Sequence, residues 1–542
     1  MNKRLVTVFC SFALVAVLLF LRVGSISTSE QLAQTATAQS SYSLTFGQTR
    51  GMIYDCRMLP LVDETQSYVA SCLPTPENMS ALLHSSAFAG DVSALMESGR
   101  PFLVKCLLPS VDIPDVKVFS VKERTSSSQL ARHIVGYTDS DGSGLTGMEK
   151  AFNTYLSKDM PASSVSYEVD GTRAPLAGVE PEVNLAPEAT KGVVLTIDKR
   201  VQKAVEQAGN RYLKRGAIVV MEPSTGKIRG MASFPQYDTR DLASAVKDDE
   251  NTPLINRAIS AYNVGSTFKI ATAAAALTQG ISTSTGYYCN GKIEVMTQTF
   301  KCHKETGHGW LNMKTAMEGS CNPYFINLGM KLDKTGFVNM ARDLSFGKAT
   351  EFATGFSSAA GNLPTVDDLY NPAAVGNFAF GQGALTATPV QVAQMVSSVV
   401  NGGNTPFASL VEGITEDGKL ISQKKEETAP VKAMSQEVAV RVKDFLVGCV
   451  MEEPNQKAKP QYVTAGGKTG TAQTGQIKEN GEDELLQGWF AGFFPAENPQ
   501  YVAVVLAEDA QSGNQDASPA FREIADSLYA PIQLPEDLKN RN

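Results

Sequence analysis

The chain has 542 residues, 43% of them apolar and 19% charged, a composition of folded protein long enough for about three domains. Its 56 acidic and 48 basic residues leave a net charge of −8 without long runs of either sign, which excludes the basic footprint of a nucleic-acid binder.

The first element is a run without charge, "LVTVFCSFALVAVLLFL" from Leu5 to Leu21, behind "MNKR". At 1.5 Å per residue it nearly crosses a hydrocarbon core, and Lys3 with Arg4 hold its start in the cytoplasm. No small-x-small cleavage site follows directly, so residues 1–23 read as an uncleaved signal anchor, with a cleaved signal peptide as the rival. The remainder is then extracytoplasmic. Residues 24–40 are rich in Ser, Thr and Gln and read as a stalk. A mixed α+β region with strand-like "RGMIYD" and "FLVKCLL" and helix-like "GMEKAFNTYL" extends to about residue 190, ending in the acidic, proline-containing "VEPEVNLAPEATKG".

Sharper signals follow from residue 191 to 535. "GAIVVME" and "KIRGMAS" flank the turn "PSTG", which predicts a hairpin over Gly216–Ser233. An alanine-rich helix opens near Ser266 and stops at Gly280. After a helical middle segment come the strand-like "YVTAGG", the apolar pair "GWFAGFFP" and "QYVAVVLAE" around "AENP", and a closing helix "PAFREIADSLY" that starts at proline. This order predicts an α+β domain with one antiparallel sheet of about five strands flanked by helices. Residues 536–542 read as a polar tail.

At the mouth of the alanine-rich helix, Ser266 and Lys269 are three residues apart, on one helical face, with a hydroxyl beside an amine. The spacing is cheap, since Ser224, Ser244, Ser345 and Ser422 are also followed by lysine at the third place. Only Ser266 is followed about fifty residues on by Ser-x-Asn, Ser320 and Asn322 in "GSCNPYF", and later by Lys468, Thr469 and Gly470 in "AGGKTGTAQ". A second Lys-Thr-Gly, at Lys334 to Gly336, follows a helix-like stretch and has no strand beside it.

These three motifs in this order are those of class A β-lactamases and penicillin-binding proteins, and with the anchor the chain resembles a class B penicillin-binding protein. "LTIDKRVQKAVEQ", "NRAISAYNVGSTFK" and "AFGQGALTATPVQVAQMVSSVVNGG" carry the resemblance through most of the chain beyond Lys191, and "RGMIYD" resembles the start of the family's pedestal more weakly. Cys56, Arg57 and Met58 depart from the Arg-Asn-Gly usual there, and Val264 stands where proline is common. The resemblance implies a single-pass membrane protein with a pedestal over residues 24–190 and a transpeptidase domain over residues 191–535. It implies a D,D-transpeptidase that cross-links peptidoglycan stem peptides through an acyl-serine, needs no cofactor, is trapped by β-lactams and works with a separate membrane glycosyltransferase. Ser266 would be the nucleophile and Lys269 its base, with an amine kept neutral by burial and by the cation of Lys468. Ser320 would relay a proton and Asn322 hold the substrate amide. Lys468 and Thr469 would bind the terminal carboxylate, Gly470 would leave room for the substrate backbone, and the N–H groups of Ser266 and Thr471 would form the oxyanion hole. A class D-like β-lactamase, which would hydrolyse rather than retain a penicillin, and a β-lactam receptor are the competing readings. Other readings attach to single residues: Ser320 and Asn322 as helix caps, and Trp489 as core.

One cluster is left over. Between the first two motifs lie Cys289, Cys302, His303 and His308, and Cys321 sits inside the Ser-x-Asn triplet. Reduced cysteines on a loop, a disulfide of Cys302 with Cys321 or Cys289, and a structural zinc held by Cys289, Cys302 and His303 or His308 all stay open.

Overall fold

The computed structural model describes residues 3–30, 40–89, 95, 99–158, 160–176, 178–422, 429–477 and 483–531. The expected tail over 536–542, and residues 31–39 of the expected stalk, lie outside them. The chain divides into two compact units, one of residues 1–50, 63–124 and 159–189, the other of 51–62, 125–158 and 190–542.

The first unit carries the apolar run as a single exposed helix, Lys3–Ser27, long and apolar enough to cross a membrane. It also holds a four-stranded antiparallel sheet in the spatial order Phe88–Ala89, Phe102–Cys106, Thr65–Cys72, Val116–Glu123. A three-stranded sheet of Ser41–Gln48, Ala162–Glu168 and Glu182–Asn184 completes it. The last of these strands lies within the segment expected to be a linker.

The second unit is built on a five-stranded sheet, numbered here in chain order: β1 Gly216–Met221, β2 Ile228–Phe234, β3 Gly466–Ile477, β4 Glu484–Phe494 and β5 Tyr501–Ala507. Its spatial order is β2-β1-β5-β4-β3, antiparallel throughout, as the strand order in the sequence predicts. The sheet is buried on both faces, and the period of two assigns each side chain to one of them. Ala217, Val219 and Met221 of β1, Trp489, Ala491 and Phe493 of β4, and Val502, Val504 and Leu506 of β5 join the larger core. Ile218, Val220, Phe490, Val505 and Phe494 point to the other core. Each fully buried Phe contributes about 1.5–3 kcal/mol over an exposed one.

The second core is closed by two helices. α1, Lys199–Tyr212, starts at Asp198, whose side chain accepts from the Arg200 N–H, and it buries Val201, Val205 and Ala208 along one stripe. The closing helix, Ser518–Tyr529, has proline in its first turn and buries Phe521, Ile524 and Ala525. On the opposite face, against the larger core, lies the alanine-rich helix α2, Lys269–Thr278. It ends through Gly280 at φ +80°, a left-handed stop that glycine adopts without strain. Met52–Tyr54 also belongs to this unit, pairing in parallel with Gly192–Val194.

Candidate active site

The nucleophile candidate sits on a turn, one step before the helix on which the sequence put it. Gly265–Phe268 is a 3-10 turn, and the α-helix begins at Lys269. The tighter turn is dictated by what holds it on either side. Gly265 has φ +60°, and a Cβ there would lie 2.8 Å from the Thr471 carbonyl oxygen of β3. Its N–H donates to the Gly381 carbonyl at 2.8 Å, and Gly381, at φ +81°, would put a Cβ 2.0 Å from the Gly265 oxygen. Both glycines are required by close backbone approach. Before the turn, Asn263 Nδ2 donates to the Gln473 carbonyl, and the indole Nε1 of Trp489 donates to the Asn263 carbonyl, each at 2.8 Å. Trp489 is wholly buried, as a core residue would be, but its polar edge also fixes the approach to Ser266.

Lys269 is fully buried. Its Nζ donates to the Ser320 carbonyl at 2.7 Å and to Asn322 Oδ1 at 2.6 Å, and lies 3.2 Å from Ser320 Oγ. The Phe325 ring is 5.7 Å away. Burial, and then the cation of Lys468, hold this amine well below the usual lysine range. A neutral amine has two N–H groups and one lone pair. All three contacts have Nζ as donor, to the Ser320 carbonyl, the Asn322 carboxamide oxygen and, more weakly, the Ser320 hydroxyl, so two N–H groups suffice to hold the neutral amine and its lone pair stays free for a proton. Ser266 is half-buried, and its Oγ makes no hydrogen bond among the described residues.

Ser320 and Asn322 are not caps. The helix Asn322–Met330, α3, has Cys321 at its N-cap with no side-chain capping bond. Instead the Asn322 carboxamide accepts from Lys269 and donates to the Lys301 carbonyl. Ser320 takes φ +49°, a left-handed conformation that costs a non-glycine residue about 1–2 kcal/mol. That conformation turns its carbonyl and hydroxyl together toward Lys269.

Lys468 lies on β3 opposite Ala491 of β4 and is 2% exposed. Its Nζ donates to the Thr469 carbonyl, and burial lowers its pKa as well. Thr469 is half-buried and Thr471 exposed, on the same strand. The reading of Gly470 needs correction. A Cβ there would meet Thr267 Cγ2 at 3.0 Å and the Val264 carbonyl at 3.1 Å, so its side-chain space is filled by the Ser266 turn packing on β3, not by substrate. The second Lys-Thr-Gly opens the helix Lys334–Asp343, its Gly336 N–H capped by Asp333.

Beside Ser320 the cluster of sulfur and nitrogen takes a definite form. The Sγ atoms of Cys289, Cys302 and Cys321 and a ring nitrogen of His308 all lie within 4.8 Å of one another, and Cys302 Sγ is 3.4 Å from His308 Nδ1. All these cysteines are free thiols. The set differs from the one the sequence suggested: Cys321 takes a place, and His303, whose ring packs 5.1 Å from that of His308, stands outside it. The sequence offered Cys321 only as a disulfide partner of Cys302; the start of α3 brings it in as a member of the cluster.

A family profile described as "Penicillin binding protein transpeptidase domain" matches residues 216–526. The chain is 28% identical to "Stage V sporulation protein D" of Bacillus subtilis, covering 97% of this chain and 85% of that protein. It is 26% identical to "Peptidoglycan D,D-transpeptidase MrdA" of Escherichia coli, over 86% of this chain and 84% of that one. A solved chain from a peptidoglycan synthase complex that coordinates polymerization and crosslinking superposes with a TM-score of 0.69 at 25% identity, covering 98% of this chain and all of that one.

Proposed function

The chain belongs to the penicillin-binding-protein transpeptidase family, and from that premise we propose how it acts as a serine-type peptidoglycan D,D-transpeptidase. Ser266 Oγ attacks the carbonyl of the penultimate D-alanine of a stem peptide, and its proton passes to Lys269. The observation that carries this reading is the buried Lys269 amine, held beside Ser320 and Asn322 and depressed by burial and Lys468. Both effects favour the neutral amine, the form that can take a proton from the hydroxyl. Ser320 Oγ, next to the same amine, relays a proton to the departing D-alanine nitrogen. Lys468 and Thr469 bind the terminal carboxylate. The N–H groups of Ser266 and Thr471 receive the oxyanion, each donor being worth about 3–4 kcal/mol, a reading supported by the close packing of the Ser266 turn on Thr471 at Gly265. An amine then takes the acyl group.

Labelling with a fluorescent penicillin tests this. The native protein should be labelled and release the label slowly, and Ser266→Ala should not be labelled. Rapid hydrolysis would instead favour a β-lactamase, a reading already disfavoured by the coverage of 97% of the chain by a relative of the same build. The Lys3–Ser27 helix supports a single-pass anchor with the catalytic unit outside the cell, residues 24–190 acting as stalk and pedestal, of which 51–62 and 125–158 fold with the catalytic unit, and 191–535 as the transpeptidase domain. The synthase complex to which the chain is similar supports a separate membrane glycosyltransferase as partner.

No metal is required by this chemistry, but the thiol and imidazole cluster fits a structural zinc. Tetrahedral zinc with Zn–S of about 2.3 Å sets its ligands about 3.8 Å apart, and four atoms within 4.8 Å need only a small contraction to reach it. Cys289, Cys302, His308 and Cys321 would hold the ion, tying the loop between the first two motifs to the start of α3. Elemental analysis should find one zinc per chain, lost in Cys302→Ser. A metal-free native protein, purified without chelator, would reject the site and leave three reduced thiols beside an imidazole.

A further inference from the structure

The Ser266 turn has two flanks, and the proposed chemistry uses one. On one side is β3, with Thr471 against Gly265. On the other is the Phe380–Gly383 loop, joined to the turn by the Gly265 N–H to Gly381 carbonyl bond. The donor peptide's carboxylate, by the reading above, belongs to β3. Gln382 and Gly383 of the opposite loop also form part of the wall of a cavity of about 320 Å³, lined as well by Gln298, Asp368, Asn371, Asn377 and Phe378.

The walls of this cavity are tied to the reaction centre. Gln298 lies on the strand Gln298–Lys301, which pairs with Lys292–Val295 and whose Lys301 carbonyl accepts from Asn322. Phe300 of that strand meets Phe380 edge to face at 6.1 Å and lies against Gly376, where a Cβ would approach its ring to 3.0 Å. Asn377 and Phe378 lie on the helix Pro372–Ala379, and the Asn377 carbonyl accepts from the Gln382 N–H at 2.9 Å. The carboxamides of Asn377, Gln382 and Gln298 make no hydrogen bond among the described residues. Three uncommitted amides around one cavity offer donors and acceptors to peptide groups.

We propose that this cavity is the subsite for the acceptor stem peptide, the second substrate, whose free amine takes the acyl group from Ser266. The proposal rests on the transpeptidase reading. In the step it serves, the amine nitrogen bonds to the acyl carbon, the bond from that carbon to Ser266 Oγ breaks, and the proton lost by the amine returns through Lys269 to Oγ. The lining suits such a substrate. An attacking amine must be unprotonated, and a site crowded with free carboxylates would keep it as ammonium. Neutral carboxamides bind the peptide without that effect. Only one carboxylate lines the wall, Asp368, which the hydroxyl and N–H of Thr365 hold in its ionised form, so the wall is not crowded with negative charge.

The test uses full-length protein in detergent, with Gln382→Leu and Asn377→Leu as variants. Each is given a thioester donor that acylates the serine, and either a synthetic lysine-containing stem peptide or D-alanine as acceptor. Losing the carboxamide contacts should raise KM for the peptide acceptor about tenfold, while penicillin acylation and transfer to D-alanine, too small to fill the cavity, stay within about twofold. An unchanged KM for the peptide acceptor in both variants overturns the proposal. So does a parallel fall in penicillin acylation, because the loop would then only support the turn. A native protein that takes no penicillin at all is a different failure, that of the transpeptidase reading itself.

Discussion

Replacing Gly265 by alanine tests the clamp that holds the nucleophile between β3 and the Phe380–Gly383 loop. At φ +60° the substitution places alanine in a left-handed conformation, which costs about 1–2 kcal/mol. The new Cβ would stand 2.8 Å from the Thr471 carbonyl oxygen, so the turn must recede by about half an ångström, an overpacking strain of about 1–3 kcal/mol. The sum is about 2–5 kcal/mol, a loss of several degrees in melting temperature. Receding also moves the Ser266 N–H from the Thr471 N–H, and losing one oxyanion donor lowers acylation about 10²- to 10³-fold. Gly280→Ala is the control: φ is +80°, but nothing lies within 4 Å, so it should cost only the left-handed penalty of about 1–2 kcal/mol and leave acylation unchanged. The measurements are the second-order rate of penicillin acylation and the melting curve of each variant. If Gly265→Ala acylates within about twofold of the native protein, the clamp does not position the serine and the reasoning is refuted.

Other outcomes follow from the same geometry. Lys269 acts as a base only when neutral, so acylation should rise with pH through its depressed folded pKa and then level off; a rate still climbing steeply near pH 10 would show that the amine is not depressed. The unfolded chain binds a proton that the native amine does not, so between the folded pKa and the ordinary value of 10.5 this residue makes stability rise with pH. Trp489→Phe removes the donor to the Asn263 carbonyl and shrinks a fully buried ring; it should cost about 2–4 kcal/mol by chemical denaturation and slow acylation about tenfold. Asp198→Ala removes the cap of α1 and should cost about 1 kcal/mol in the same assay, with acylation intact.

Features governed by short stretches of chain were legible in the amino-acid order. The apolar run became the Lys3–Ser27 helix, alternation and turn residues marked the strands of the antiparallel sheet, and motif spacing picked out Lys269, Ser320 and Asn322, which the fold brings together. Lys334 could be set aside for lack of a strand, and it does open a helix. Contacts between remote segments had no such signal. That Lys269 would bond Ser320 and Asn322, that Gly470 would receive the packing of Thr267, and that Asn263 would be held by Gln473 and Trp489 depend on where β3 and α3 come to lie. The same holds for Cys321, which joins Cys289, Cys302 and His308 in the thiol cluster while His303 stays out of it. Periodicity and spacing report the local preference of the backbone for helix, strand or turn. Which faces then meet is decided by burying all the apolar stripes at once, and that is a property of the folded chain.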